Sequence, residues 1–99
     1  MPLIFHIAVA EDVDNAAQTG RYHCDSLGSE GFVHCCQPEQ LEGVIERYYS
    51  GVTGLMLLHI DSDSLVPDLV YENTVGGEDL FPHVYGEINM DAVVQIVPL

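Results

Sequence analysis

The chain is 99 residues long, which predicts a single domain, and its hydrophobic fraction of 47% is too high for a disordered segment. It carries 16 acidic residues against two basic ones, Arg21 and Arg47, for a formal net charge of -14. Because affinity for nucleic acids and for anionic membrane surfaces depends on Lys and Arg, this charge excludes both as partners. No stretch has the length of a membrane span, and the three cysteines suggest no disulfide framework. The N-terminal residues lack a basic region and a long apolar stretch, so we expect no signal peptide. We therefore expect a cytoplasmic protein.

Hydrophobic patterning places both predicted helices in the first half of the chain, among short strands. In chain order, the predictions there are a strand over Leu3–Val9, a helix over Ala10–Thr19, a strand over 21–24, a loop over 25–31, a strand over 32–35 and a helix over 38–49. Gly20 and Gly51 are suitable helix stops, and Pro38 suits a first helical turn. The second helix has one apolar face, made of Leu41, Val44, Ile45, Tyr48 and Tyr49.

The second half of the chain predicts strands joined by turns. The predictions are a buried strand over Leu55–Asp61, a turn or short helix over 61–67, a strand over 69–74, a Gly-containing loop over 75–79, an extended segment over 81–86 and a strand over 92–97. This order lacks the regular alternation of βαβ units. It predicts an α+β fold with a small mixed or antiparallel sheet of five to six strands and two helices in the N-terminal half.

Four polar residues stand inside otherwise apolar strands, and they are the candidate catalytic residues: His6, His34, Glu72 and His83. Side chains alternate across a strand, so each of them shares a face with apolar neighbours. A polar side chain in that setting needs a partner, because leaving it unpaired costs free energy. We therefore predict that the four converge in one cleft. The alternative for each histidine is a half-buried ring bonded to backbone, which is our interpretation of His23 and His59.

Metal binding and cysteine chemistry have weaker signals. His34-Cys35-Cys36 offers three ligand types, but adjacent strand residues point to opposite faces, and no CxxC or HxxxH spacing is present. Three histidines with Glu72 could surround an ion, although we predict no metal. Cys36 precedes the second helix, whose N-terminus could lower a thiol pKa, but a small residue near a helix cap is the simpler interpretation.

The segment Ser26-Leu27-Gly28-Ser29-Glu30-Gly31 has the composition of an anion-binding loop. It is no Walker motif, because the chain contains no Lys. Backbone N–H groups of such a loop could still hold an anion.

Several of these segments together resemble the bacterial family called domain of unknown function 952. The matching stretches are Ile4-Phe5-His6-Ile7, Ser26-Leu27, Glu30, Gly31-Phe32-Val33-His34-Cys35, Leu57-Leu58-His59-Ile60-Asp61, Tyr71-Glu72 and Phe81-Pro82-His83-Val84-Tyr85-Gly86. The resemblance covers nearly the whole chain, and the stretches beginning at Gly31 and Phe81 are specific in combination. Two positions depart from it: Cys36 stands where the family usually has Ser, and Val13 where it often has Trp.

The resemblance implies a compact α+β fold, distantly similar to the core of ADP-ribosyltransferases and RNA 2′-phosphotransferases, which bind NAD or an ADP-ribose-like group. On that similarity His6 would hold the nicotinamide ribose, Glu72 would stabilise an oxocarbenium-like state, and His34 and His83 would position the ligand. The residues implied in binding the NAD-like cofactor are Ser26, Glu30, Gly31, Phe32, Arg47, Phe81 and Tyr85. The scarcity of basic residues opposes a dinucleotide, because only Arg21, Arg47 and loop N–H groups could face its phosphates.

Three functions remain open at this point. The first is a domain that binds NAD, ADP-ribose or a related nucleotide and performs ADP-ribosyl-transfer-like chemistry. The second is a non-catalytic module whose acidic surface meets a basic protein partner, which predicts no converging polar cleft. The third is a metal site of histidines. We favour the first function. A well-solvated acidic surface explains the net charge, but it does not explain why polar residues lie within apolar strands. The sequence does not indicate whether the protein is a monomer or an oligomer.

Overall fold

In the part of the chain that the structure describes, the strands form three small antiparallel sheets and the α-helices lie in the first half. The computed structural model describes residues 2–73 and 79–99. Within them the elements are β1 (Leu3–Val9), α1 (Ala10–Thr19), β2 (Arg21–Tyr22), α2 (Asp25–Glu30), β3 (Val33–His34), α3 (Leu41–Tyr48), β4 (Leu55–Asp61), β5 (Asp68–Glu72), β6 (Phe81–Tyr85), β7 (Ile88–Asn89) and β8 (Val93–Pro98). Single 3-10 turns cover Pro38–Gln40, Ser62–Ser64 and Met90–Ala92.

The sheets have the strand orders β1-β4-β8, β2-β7 and β3-β6-β5, and every pairing is antiparallel. The predicted α+β class and N-terminal helices are confirmed, and of the two predicted alternatives, a mixed or an antiparallel sheet, the structure has the antiparallel one. The described residues hold eight strands in three sheets, where the sequence predicts five to six in one sheet. The strand predicted over 21–24 is present as β2, although it ends at Tyr22. β7 was not predicted, because its two residues are too few for an alternating pattern to reveal it. Most of the loop predicted over 75–79 lies outside the described residues, as does the end of the strand predicted over 69–74.

Asp25–Glu30 form the helix α2, so the prediction of a loop over 25–31 is wrong for these six residues. Its Gly and Ser content lowers intrinsic helix propensity. Tertiary contacts outweigh that: Leu27 packs against the main core. Gly31 adopts the left-handed conformation with φ 88° and donates its N–H to the Leu27 carbonyl, which ends the helix.

The main hydrophobic core lies on one face of the β1-β4-β8 sheet. Ile4 and Ala8 of β1 point into it with Leu58 and Ile60 of β4, as the alternation of strand side chains requires. The other elements contribute the buried residues Ala16, Tyr22, Val33, Cys35, Val84, Ile88 and Ala92. The sheet β3-β6-β5 therefore has one face, which includes Val33 and Val84, directed at this core.

A second, smaller core lies on the opposite face of the β1-β4-β8 sheet, beneath α3. Ile7, Leu55 and Leu57 form its buried part. The apolar face predicted for the second helix packs on it, with partly buried contacts from Leu41, Val44, Ile45 and Tyr49. This contact fixes α3 beside the outward-facing side chains of β1.

A short backbone connection joins β1 to the segment that follows β3. The Phe5 N–H donates to the Cys36 carbonyl and the Cys36 N–H donates to the Phe5 carbonyl, both at 2.8 Å. Cys35 continues the pairing on its other side by donating its N–H to the Pro82 carbonyl at 3.0 Å. The two three-stranded sheets thus meet at residues 34–36. In the described parts of the chain, no helix is long and apolar enough to cross a bilayer.

Candidate active site

Two histidines lie side by side on the outer face of the β3-β6-β5 sheet. β3 and β6 pair with His34 opposite His83, while Val33 and Val84 point the other way, into the core. The ring centroids of His34 and His83 are 5.2 Å apart, with an interplanar angle of 80°. Directly opposed side chains of an antiparallel pair are close neighbours, so register alone brings these rings together.

Glu30 orients His34. The imidazole Nε2 of His34 and the Glu30 Oε2 are 2.7 Å apart. Glu30 is the last residue of α2, and Gly31 turns the chain directly into Phe32 and β3. The pair is half exposed, with 44% of the His34 side chain and 50% of the Glu30 side chain accessible. The short helix α2, absent from the sequence prediction, is therefore the element that supplies this carboxylate.

Glu72 orients His83. The His83 Nδ1 donates to the Glu72 Oε1 at 2.9 Å, and the Tyr85 hydroxyl donates to the same oxygen. The hydrogen bonds from Tyr85 and then from His83 lower the pKa of Glu72, so it is an ionised acceptor near neutral pH. The Glu72 bond also raises the pKa of Tyr85, which remains a donor. With Nδ1 occupied as a donor, neutral His83 has Nε2 as its accepting atom.

Phe32 packs against all three rings of this face. It stacks on His83, with ring centroids 4.2 Å apart and an interplanar angle of 15°. It also meets His34 at 4.8 Å and Tyr85 at 5.3 Å. Phe32 and His83 are both buried. Stacking and hydrogen bonding together leave the His83 ring little rotational freedom, which is the preorganisation that a catalytic group needs.

A cleft of about 320 Å³ opens beside the two histidines. It lies between the outward side of β1, the C-terminal part of α3 and the β3-β6 pair. Its lining residues are Phe5, Ile7, His34, Cys35, Cys36, Val44, Tyr48, Tyr49, Phe81 and His83. The wall is mostly apolar, with a few polar groups on one side, and its volume falls within the range of small-molecule sites.

His6 does not line this cleft, although we predicted that it would join the other three residues. It points from the opposite face of β1 into the core, where it is 6% exposed. Its Nδ1 donates to the backbone carbonyl of His34 at 2.5 Å, and its Nε2 accepts from the Tyr22 hydroxyl at 2.8 Å. A carbonyl can only accept, so this geometry fixes the neutral tautomer. Burial lowers the pKa of His6 to about 4. His6 thus supports the backbone beneath His34.

The residues predicted to bind an NAD-like cofactor are dispersed. Phe81 lines the cleft, whereas Phe32 and Tyr85 stand behind the histidines. Ser26 donates its hydroxyl to the Phe32 carbonyl at 2.9 Å, which ties α2 to β3. Arg47 is exposed on α3 and does not line the cleft. Gly31 and Glu30 shape the turn and orient His34, as described above.

The cysteines carry no sign of an activated thiol. Cys35 and Cys36 are buried, and burial raises the pKa of both thiols, to about 11 for Cys36. They and Cys24 are free. In residues 2–73 and 79–99, no group of three or more His, Cys, Asp or Glu side chains is arranged to hold a metal ion.

Sequence reasoning missed the aromatic side of the cleft. Tyr48 and Tyr49 appear in the predicted apolar face of the second helix, where they read as core residues, yet both line the cleft. Phe5 lines it from β1. The available signal was two adjacent tyrosines at a helix end, since a tyrosine combines an apolar ring with a polar hydroxyl and suits a surface that is apolar at one end and wet at the other. Tyr22, the partner of His6, had no local signal.

Fold and site together define a small α+β protein with two histidine–carboxylate pairs beside an aromatic cleft. The chain belongs to the family described as protein of unknown function (DUF952), whose model matches residues 7–96.

The family assignment agrees with two similar solved structures. The crystal structure of protein CC0527 from Caulobacter crescentus is 28% identical, with a TM-score of 0.87 over 98% of this chain and 85% of that chain. The solution NMR structure of CC0527 is 29% identical, with a TM-score of 0.84 over 100% of this chain and 85% of that chain. Comparison with curated proteins gives no match. These similarities do not extend to ADP-ribosyltransferases, so that part of the resemblance stays a hypothesis.

Proposed function

We propose that the cleft is a catalytic site in which His34 and His83 transfer protons to and from a small molecule. The observation that carries this proposal is the pair of imidazoles, each held by a carboxylate, with centroids 5.2 Å apart at the wall of one cleft. Two such groups within reach of one substrate can remove a proton at one atom and supply a proton at another, and histidine is the side chain most often used for general acid–base catalysis.

The two histidines have different surroundings, which suggests different roles. His83 is 2% exposed and gives its Nδ1 proton to Glu72, so its Nε2 is the group suited to act as base. His34 is half exposed, with its Nε2 2.7 Å from the Glu30 Oε2, and is the more accessible of the two histidines. We assign it the complementary role, that of acid.

An ADP-ribosyl-transfer reaction is the less favoured chemistry for this site. Glu72 would have to face an oxocarbenium-like centre, but it does not line the cleft and already accepts from Tyr85 and His83. No Lys or Arg lines the cleft, so the phosphates of NAD would lack cationic partners. The acidic protein-interaction module is also not favoured, because it predicted that the polar residues would not converge. The cytoplasmic location stays a prediction, which the three free cysteines suit.

Base catalysis can be tested with 5-nitrobenzisoxazole, a small planar compound whose ring opens when a base removes one proton. We expect the protein to accelerate this reaction and His83→Gln to reduce the rate by about 10²–10⁴-fold. The release of the coloured phenolate measures the rate. His23→Gln is the matched control, because His23 is exposed and lies outside the cleft lining. Equal rates in the protein and in His83→Gln would overturn the proposal.

The nucleotide hypothesis needs its own measurement. Titration of the ¹⁵N-labelled protein with NAD and with ADP-ribose would show whether resonances of His34, Phe81 and His83 shift. Shifts at those residues that vanish in His34→Ala would restore a nucleotide as the ligand. We expect no saturable shifts at millimolar nucleotide, because the cleft offers the phosphates no cation.

A further inference from the structure

Besides the two histidines, four aromatic side chains line the cleft. Phe5, Tyr48, Tyr49 and Phe81 line it together with the aliphatic Ile7 and Val44. The face of an aromatic ring carries partial negative charge, and it attracts a cation that lies within about 6 Å of the ring centroid. A site that needed only hydrophobic contact could be built from Leu, Ile and Val, which dominate both cores of this protein.

Charge around the cleft points the same way. The chain has 16 acidic and two basic residues, and neither Arg21 nor Arg47 belongs to the lining. Glu30 and Glu72 stand directly behind the two histidines. Glu39 belongs to the 3-10 turn Pro38–Gln40. Its negative charge lies close enough to Cys36, which lines the cleft, to help raise the pKa of that thiol. A cleft inside such a field concentrates cations and repels anions.

We infer that the substrate of this site is an organic cation, of the class of quaternary ammonium compounds and N-alkylated aromatic rings. Its positive charge lies against the rings of Tyr48, Tyr49 and Phe81, and its reacting end faces His34 and His83. The inference rests on the proposed function in that it names the substrate class of the same cleft. A volume of about 320 Å³ is at the small end for ligand sites, so the cation is compact.

Other ligand charges fit less well. An anion would meet aromatic faces and carboxylates with no Lys or Arg on the wall. A bare metal ion would need several oxygen, nitrogen or sulfur ligands in one place, and the described residues offer no such group.

The test compares three compounds of nearly equal shape: choline, its uncharged carbon analogue 3,3-dimethylbutan-1-ol, and the anion 3,3-dimethylbutyrate. Binding is measured by chemical-shift titration of the ¹⁵N-labelled protein. We expect choline to bind at least about tenfold more tightly than the alcohol, and the anion to bind most weakly. Equal affinity for choline and the alcohol, or no shift at the cleft residues with choline, would overturn the inference.

Two variants locate the charge. Tyr48→Leu and Phe81→Leu keep an apolar side chain and remove the ring, so they should lower choline affinity and leave the affinity for the alcohol unchanged. Tyr71→Leu is the control, because Tyr71 is exposed on β5 outside the lining. If both leucine variants lost affinity for choline and for the alcohol alike, the rings would contribute only shape and apolar contact, which would contradict the inference.

The inference and the proposed function can fail separately. Choline binding is measured again in His83→Gln, where the cleft keeps its aromatic wall. If the protein binds choline selectively but neither it nor the variants catalyse proton removal, the proposed function is wrong and the cleft is a cation-binding site. Base catalysis without cation selectivity would remove the inference alone.

Discussion

The same sequence feature, a histidine within an apolar strand, leads to two different outcomes in this protein. His34 and His83 lie at the cleft beside carboxylates, whereas His6 is buried and bonded to a backbone carbonyl and a tyrosine hydroxyl. Alternation within β1 correctly places His6 on the face of Ile4 and Ala8. It does not tell which face of β1 looks toward β3, because that depends on contacts between distant parts of the chain.

Buried His6 should make stability depend on pH. Its pKa is about 4 when folded and 6.5 when exposed, so the unfolded chain binds one more proton between those values. Lowering the pH from 6.5 toward 4 therefore removes stability, by about 3 kcal/mol in total for this group. Urea unfolding at pH 6.5, 5.5 and 5.0 measures the slope.

Two variants separate His6 from the other titrating groups. His6→Gln should be less stable than the unmodified protein at pH 7 but should lose less stability on going to pH 5.0. His23→Gln is the control for removing one imidazole, because His23 is an exposed histidine outside the core. The same slope in all three proteins would show that burial of His6 does not control this pH range.

At the scale of elements, the longer regular segments were predictable, whereas the strand pairing that assembles the site was not. The bounds of β1, α1 and β4 match the sequence prediction, because each has a full period of apolar residues or a clear glycine stop. β3 has only two residues, and its partner β6 comes far later in the chain. A strand this short gives no register signal, so the opposition of His34 and His83 could not be derived. The helix α2 was missed because Leu27 packing outweighs its weak propensity.

Glycines in two elements should respond to alanine in opposite directions. At Gly86, which follows β6, an added Cβ would lie 2.7 Å from the Pro67 Cβ, so Gly86→Ala should destabilise by about 1–3 kcal/mol. Gly43 lies in α3 with open space around it, so Gly43→Ala should stabilise by about 0.5–1 kcal/mol. Chemical denaturation of both variants measures the difference. A neutral Gly86→Ala would mean that the Pro67 segment can move aside without cost.

At the scale of the whole molecule, charge repulsion should oppose folding. The formal net charge of -14 is held within extents of 37 × 30 × 29 Å. The screening length is about 30 Å at 0.01 M salt and about 8 Å at 0.15 M, so carboxylates repel one another across the molecule only at low salt. We expect the melting temperature to rise by several degrees between those concentrations, because the expanded unfolded chain gains less from screening.

Calorimetry in NaCl at constant pH measures the rise. The double variant Glu42→Gln with Glu46→Gln removes two charges from the exposed side of α3 and should rise less with salt. A melting temperature that does not depend on salt would show that the acidic surface costs the folded state little.

The position of β5 has a further consequence. It is an edge strand of its sheet, paired only with β6 among the described residues, and Val70 and Tyr71 on it are 40% and 43% exposed. Such strands exchange their amide hydrogens through local opening, at a free energy below that of global unfolding. Glu72 is the last residue of β5, so each opening would withdraw the carboxylate from His83 while the β1-β4-β8 sheet stays paired. The fraction of molecules in which Glu72 holds His83 therefore depends on how rarely β5 opens, which the hydrogen-exchange protection of its amides reports.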